Sequence, residues 1–110
     1  MLPDEYRLKK RRDFSRAYSR GRSKSCPEFV LYRYHRRGQQ TRIGFSASKK
    51  LGSAVMRNRL KRVFRHAAAE SISSFDHGCD YIFVIRQAAS KSTFEQIVAQ
   101  IVKTLTQINP

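Results

Sequence analysis

The sequence predicts a small α+β layered domain, its elements running helix, strands, helix, strand, helix. Three observations carry that prediction. The chain has 110 residues, a length suited to one core and too short for two. Its hydrophobic period switches along the chain between about two, the strand repeat, and about 3.6, the helix repeat. One segment, Tyr81-Ile82-Phe83-Val84-Ile85, is apolar at every position, as a central strand covered on both faces requires. Seven Phe and five Tyr are enough to anchor a single core. The whole of 1–110 is therefore read as one domain, with 1–12 a basic, flexible N-terminal arm that shows no periodicity.

The first helix is expected over 13–20. Asp13 can cap it, Gly21 suits a left-handed stop, and Phe14, Ala17 and Tyr18 share a face opposite Arg12, Arg16 and Arg20. From Pro27 to His35 the chain is dense in β-formers. Alternation sends Phe29, Leu31 and Arg33 to one face and Val30, Tyr32 and Tyr34 to the other. Arg36-Arg37-Gly38-Gln39-Gln40 reads as a turn, which makes 42–48 the partner strand of a hairpin. In that strand Ile43, Phe45 and Ala47 share one face, and Gly44, Ser46 and Ser48 the other. One side of the pair is thus bulky and apolar. The other mixes aromatics with very small residues, as an open groove would.

From about Ser53 the pattern turns helical, with Met56, Leu60, Val63, Phe64 and Ala67 forming one apolar stripe that fades near Ser71 to Ser74. After the central strand, Ser92-Thr93-Phe94-Glu95 has the form of a capping box. It opens a last helix with Phe94, Ile97, Val98, Ile101, Leu105 and Ile108 facing inward and Asn109-Pro110 at its end.

Charge points to the partner. The 23 Lys and Arg outnumber the 8 acidic residues, a formal +15, and residues 1–65 alone carry 20 basic and 4 acidic side chains. Self-repulsion opposes such loading, whereas a polyanion releases counterions on binding and offsets it. Nucleic acid is the favoured partner over an anionic membrane. The middle helix concentrates the signal. Between 49 and 65 stand seven cationic side chains (Lys49, Lys50, Arg57, Arg59, Lys61, Arg62 and Arg65) and no acidic one. At about 100° per residue, Arg57, Asn58, Lys61, Arg62 and Arg65 fall within roughly 140° of arc opposite the apolar stripe, with Arg59 at its far edge. Arg57–Lys61 and Lys61–Arg65 are like-charge i,i+4 pairs, which a merely solvated helix would avoid. Arginine forks suit phosphate, and Asn58 can meet a ribose hydroxyl or base edge. The helix start at Gly52 to Ala54, beside Lys49 and Lys50, is a further anion site.

At these residues the sequence resembles a family. Lys49-Lys50-Leu51-Gly52-Ser53-Ala54-Val55-Met56-Arg57-Asn58-Arg59-Leu60-Lys61-Arg62 is similar to the Arg-Asn-Arg signature of the bacterial ribonuclease P protein. Asp13-Phe14 with Tyr18 and Gly21, Phe29-Val30-Leu31-Tyr32, Arg42-Ile43-Gly44-Phe45-Ser46 and Asp80-Tyr81-Ile82-Phe83 resemble other family segments in order. It departs in having His66-Ala67-Ala68-Ala69-Glu70 where the family often continues charged, and Tyr18 where it often has Phe.

With that resemblance the fold is read as a small two-layer sandwich. A mixed sheet of about four strands carries three helices, order α-β-β-β-α-β-α, with a left-handed β-α-β crossover against the usual preference. The resemblance implies a protein subunit of ribonuclease P that assists endonucleolytic removal of the 5′ leader from precursor tRNA. Arg57, Asn58, Arg59, Lys61 and Arg62 would dock on the catalytic RNA, with Lys49, Lys50 and Arg65 read as part of the same surface. Phe14, Tyr18, Val30, Tyr32 and Ser46 would line a cleft for the leader. Val30, Tyr32 and Ser46 already lie on the face read as a groove, and aromatics beside cations suit single-stranded RNA. The RNA would perform the hydrolysis with Mg²⁺ held mainly by RNA and substrate.

No catalytic residue is expected in the protein itself. The acidic residues are dispersed, Asp76-His77-Gly78-Cys79-Asp80 reads as a polar turn, and His35 and His66 have no evident partner. Cys26 and Cys79 belong to no metal-spaced pair, so reduced thiols and a cytoplasmic location are expected, with no membrane role and no required protein partner. The competing reading is a non-catalytic RNA-binding structural protein or RNA chaperone of ribosomal-protein type. A DNA-binding regulator is weaker, because no second helix is placed as a helix-turn-helix scaffold.

Overall fold

The computed structural model describes residues 2–38 and 40–110; Met1 of the expected arm and Gln39 of the expected turn lie outside the described residues. The elements are α1 (Arg11–Arg20), β1 (Arg22–Ser25), β2 (Phe29–His35), β3 (Arg42–Ser46), α2 (Ala54–Glu70), β4 (Cys79–Ile85) and α3 (Phe94–Ile108), the order expected. They form one four-stranded mixed sheet in the order β1-β2-β4-β3. β2 pairs antiparallel with β1 and β4, while β3 runs parallel to β4 through the α2 crossover.

The expected hairpin of 29–35 with 42–48 does not form. β4 lies between β2 and β3, and β2 makes its hairpin with β1 instead. Every residue of β4 except Val84 is buried. An edge position would leave one row of its backbone donors and acceptors unpaired, whereas the centre pairs both rows. β1, Arg-Ser-Lys-Ser, is exposed throughout and has no alternation to betray it; charge suits an edge strand.

The sheet separates two apolar layers. Against one face, α2 and α3 pack Leu60, Phe64, Ile97, Ile101 and Leu105 onto Phe29, Leu31, Ile43 and Phe83. Phe83 stands at its centre, with the rings of Phe29, Phe45, Phe64 and Phe75 centred 5.1–6.1 Å away. Burying each such ring contributes about 1.5–3 kcal/mol. The opposite face is smaller: Leu8, Ala17 and Ile82, flanked by Phe14, Tyr32, Tyr34 and Val84.

Local corrections follow from packing. α1 starts at Arg11, with Lys10 at the N-cap and no side-chain cap, so Asp13 sits buried in the first turn rather than capping it. Gly21 is extended (φ −81°, ψ 166°), not left-handed. It is needed for space, since a Cβ there would lie 2.4 Å from the Ala17 carbonyl oxygen and 2.7 Å from that of Arg33. The N-terminal segment, expected as a flexible arm, packs along β3: Leu2 and Leu8 are buried, and the Leu8 amide donates to the Ile43 carbonyl at 2.9 Å. The capping box of α3 lies one residue later than expected, between Thr93 and Gln96. Phe94, expected inward, is exposed in the first turn, while Thr104 joins the buried face.

Candidate nucleic-acid interface

Two surfaces emerge, on opposite faces of the sheet. The first is α2. Ser53 accepts from the Met56 amide at 3.2 Å and caps the helix. Before it, Lys49–Leu51 form a 3-10 turn closed by Gly52 at φ 118°, a conformation glycine adopts without strain. Leu51 is buried and pins this turn, which leaves Lys49 and Lys50 exposed just ahead of the helix. Along α2, Leu60, Phe64, Ala67 and Ala68 are buried; Asn58, Arg59 and Arg62 are exposed; Arg57, Lys61 and Arg65 are half-buried. Partial burial of these three fits aliphatic stems lying along the helix with their charged ends outward.

Among the described residues, none of the eight side chains named for this surface is ion-paired. The Nε atoms of Arg57 and Arg65 are buried with no hydrogen-bond partner there. Burial, then repulsion from Arg7 and Arg62, pushes the Arg65 pKa down. Arg7 thus extends the basic surface across the β3 edge. Nothing in the sequence near residue 7 signals this, because the placement comes from the long-range bond between Leu8 and Ile43. Arg59 lies apart, lining a shallow pocket with Met56, Leu60, Val63, Ala89, Ser90 and Ser92.

The second surface is built by strand register. Tyr32, Ile82 and Gly44 stand in one row across β2, β4 and β3, and Val30, Val84 and Ser46 in the next. α1 covers the first row and leaves the second half-open. Tyr18, 39% exposed, sets its ring 4.9 Å from Tyr32 in an edge-on arrangement and 6.3 Å from Phe14. Burial raises the Tyr18 pKa, opposed in part by the Ser46 hydroxyl, so the phenol stays protonated at neutral pH. Phe14, Tyr18, Val30, Tyr32 and Ser46 therefore lie on one side of the sheet, around the flank of α1. A smooth floor of aliphatic and small residues with aromatic rings at its wall is a surface on which bases can stack.

Sequence reasoning missed the ion network beside this surface. Asp80, assigned to a polar turn, is fully buried and accepts two bonds from Arg42, both 2.9 Å, and one from Arg36 at 3.0 Å. Asp13 accepts from Arg16 at 2.9 Å and lies 3.3 Å from Arg42. The signal was parity: in a strand where Ile82 and Val84 face α1, Asp80 must face it too. Asp76 is structural, taking Arg33 at 3.0 Å while its carbonyl accepts from Thr41 at 2.9 Å. His35 and His66 are exposed. Burial pushes both cysteine thiols up, so they stay protonated and weakly nucleophilic near neutral pH.

A family model described as Ribonuclease P matches residues 2–109. The chain is 40% identical over 90 residues to the ribonuclease P protein component of Desulforamulus reducens, covering 82% of this chain and 80% of that one. It is 35% identical over 97 residues to that of Bacillus cereus, with 87% and 84% covered. Among solved structures, it is similar to the Staphylococcus aureus RNase P protein at 36% identity and a TM-score of 0.82, covering 94% of this chain and 95% of that chain. The Thermotoga maritima RNase P protein is similar at 26% identity and a TM-score of 0.85, with 94% and 98% covered.

Proposed function

The chain belongs to the ribonuclease P protein family, and from that premise we propose that its two surfaces divide the work of the ribonucleoprotein. As a subunit of that particle, α2 docks on the catalytic RNA through Arg57, Asn58, Arg59, Lys61, Arg62 and Arg65, with Lys49 and Lys50 beside its first turn. The cleft of Phe14, Tyr18, Val30, Tyr32 and Ser46 holds the single-stranded 5′ leader of precursor tRNA. The observation that carries this reading is the arrangement itself: an unpaired cationic helix face and a half-open aromatic cleft, set on opposite sides of one core.

The RNA subunit carries the hydrolysis, and Mg²⁺ bound by RNA and substrate phosphates supplies its Lewis-acid chemistry. Among the described residues no three metal-ligating side chains converge, and Asp13 and Asp80 are already taken by arginines. The chain's contribution is instead affinity and orientation: cations neutralise RNA phosphates, and ring faces stack on leader bases at about 1–3 kcal/mol each. A cytoplasmic site of action fits this role, and none of the described helices is long and apolar enough to cross a membrane.

Reconstitution with the catalytic RNA and a precursor tRNA at low Mg²⁺ tests the reading. Addition of the protein is expected to accelerate leader removal; no acceleration would transfer the chain to a purely structural RNA-binding role.

A further inference from the structure

We infer that the ion network of Asp13, Arg16, Arg42 and Asp80 is a latch that positions α1, and with it Phe14 and Tyr18, for the leader; the inference rests on the cleft reading above. Two α1 side chains each pair with the sheet. Asp13 lies 3.3 Å from Arg42 of β3, and Arg16 lies 3.7 Å from Asp80 of β4 while its guanidinium carbon stands 5.1 Å from the centre of the Tyr34 ring. Arg42 joins both carboxylates, since it also holds Asp80 in two bonds of 2.9 Å. Tyr34, Asp80 and Arg42 form the register row next to Tyr32, Ile82 and Gly44. The latch and the aromatic wall are therefore adjacent rows under the same ten-residue helix.

α1 needs such a device because its apolar hold is thin. Only Asp13 and Ala17 are buried on it, whereas α2 buries four residues and α3 five. A buried ion pair adds little net stability over an apolar contact of the same size, yet removing one partner strands the other charge. Its distinctive contribution is geometric: the bidentate Arg42–Asp80 pair fixes where Asp13 can sit, and Phe14 follows it directly in the chain. Undocking of α1 would leave the larger core on the other face intact while dispersing the cleft wall.

The sign of the effect separates this latch from general electrostatics. Removing a carboxylate from a protein of net charge +15 should tighten RNA binding through phosphate attraction. The latch predicts the reverse for the leader. In the holoenzyme, Asp13→Asn is expected to weaken affinity for leader-bearing tRNA by about fivefold if the docked fraction falls to about one fifth, with mature tRNA unaffected. Hydrogen exchange should speed up in α1 amides and not in β4. Unchanged or tighter leader binding overturns the latch. Tyr32→Ala in the same assay reports on the cleft independently: if it too leaves leader affinity unchanged, the cleft reading fails and the latch with it. If it weakens binding where Asp13→Asn does not, only the latch falls. Should Asp13→Asn fail to fold, Arg16→Gln is compared with Arg12→Gln, which removes the same charge from an exposed position of the same helix. A larger loss of leader affinity from Arg16→Gln supports the latch, and equal losses overturn it.

Discussion

At Gly44 the sheet carries no side chain, and the ring of Phe14 fills the space: a Cβ there would lie 2.6 Å from the ring and 3.2 Å from the Leu8 side chain. Gly44→Ala should push Phe14 outward and cost about 1–3 kcal/mol, the range for overpacking a filled site. A lowered melting temperature together with weaker leader binding is expected; an unchanged protein would show that Phe14 is not seated there. Tyr32 tests stacking without that strain. Tyr32→Ala should reduce affinity for leader-bearing tRNA by about 1–3 kcal/mol and leave affinity for mature tRNA alone, with folding intact by circular dichroism. An unfolded variant would mean that Tyr32 serves only as core. At this scale the sequence was readable wherever alternation governed, as for Val30, Tyr32 and Ser46. For Asp80 parity gave the face but not the partners, since Arg16, Arg36 and Arg42 come from three other segments of the chain.

Among the elements, α2 was the most legible, because its apolar stripe and its cationic arc are both local properties of one helical period. Ser53 at its start and the buried Leu60, Phe64 and Ala67 follow directly from that period. β1 and the β2–β3 pairing were not legible, since partner choice depends on contacts far apart in sequence. A hairpin is the default for strands joined by a short turn. Here the doubly buried β4 took the place beside β2. The prediction for α2 concerns its salt response. Arg57→Ala with Arg62→Ala should weaken binding to the catalytic RNA and flatten the dependence of log K on log salt by up to about 0.7–0.9 per lost phosphate contact. An unaltered slope would mark these arginines as solvated rather than bound.

In the whole molecule, charge and core are divided along the chain. Residues 1–65 carry 20 of the 23 basic side chains, while 66–110 contribute 3 basic and 4 acidic ones together with β4 and α3, the most heavily buried strand and helix. The first part supplies both surfaces proposed to meet RNA, and the second adds its strand and helix to a core that Phe29, Leu31, Ile43, Leu60 and Phe64 of the first part share. Hydrophobic period made the coarse order of elements legible and the family resemblance refined it to α-β-β-β-α-β-α, but the packing of 2–8 along β3, which brings Arg7 to Arg65, is tertiary and left no local trace. Since the two surfaces lie on opposite faces, damage to one should leave the other working. The decisive measurement is a crossed assay of reconstituted ribonuclease P, scoring RNA-subunit assembly and leader-dependent tRNA affinity for the Arg57→Ala/Arg62→Ala and Tyr32→Ala proteins. Separate surfaces predict that the arginine variant loses assembly while, once saturated with RNA, it retains leader discrimination, and that Tyr32→Ala does the opposite. Equal losses of both properties in both variants would contradict the division of work proposed for this fold.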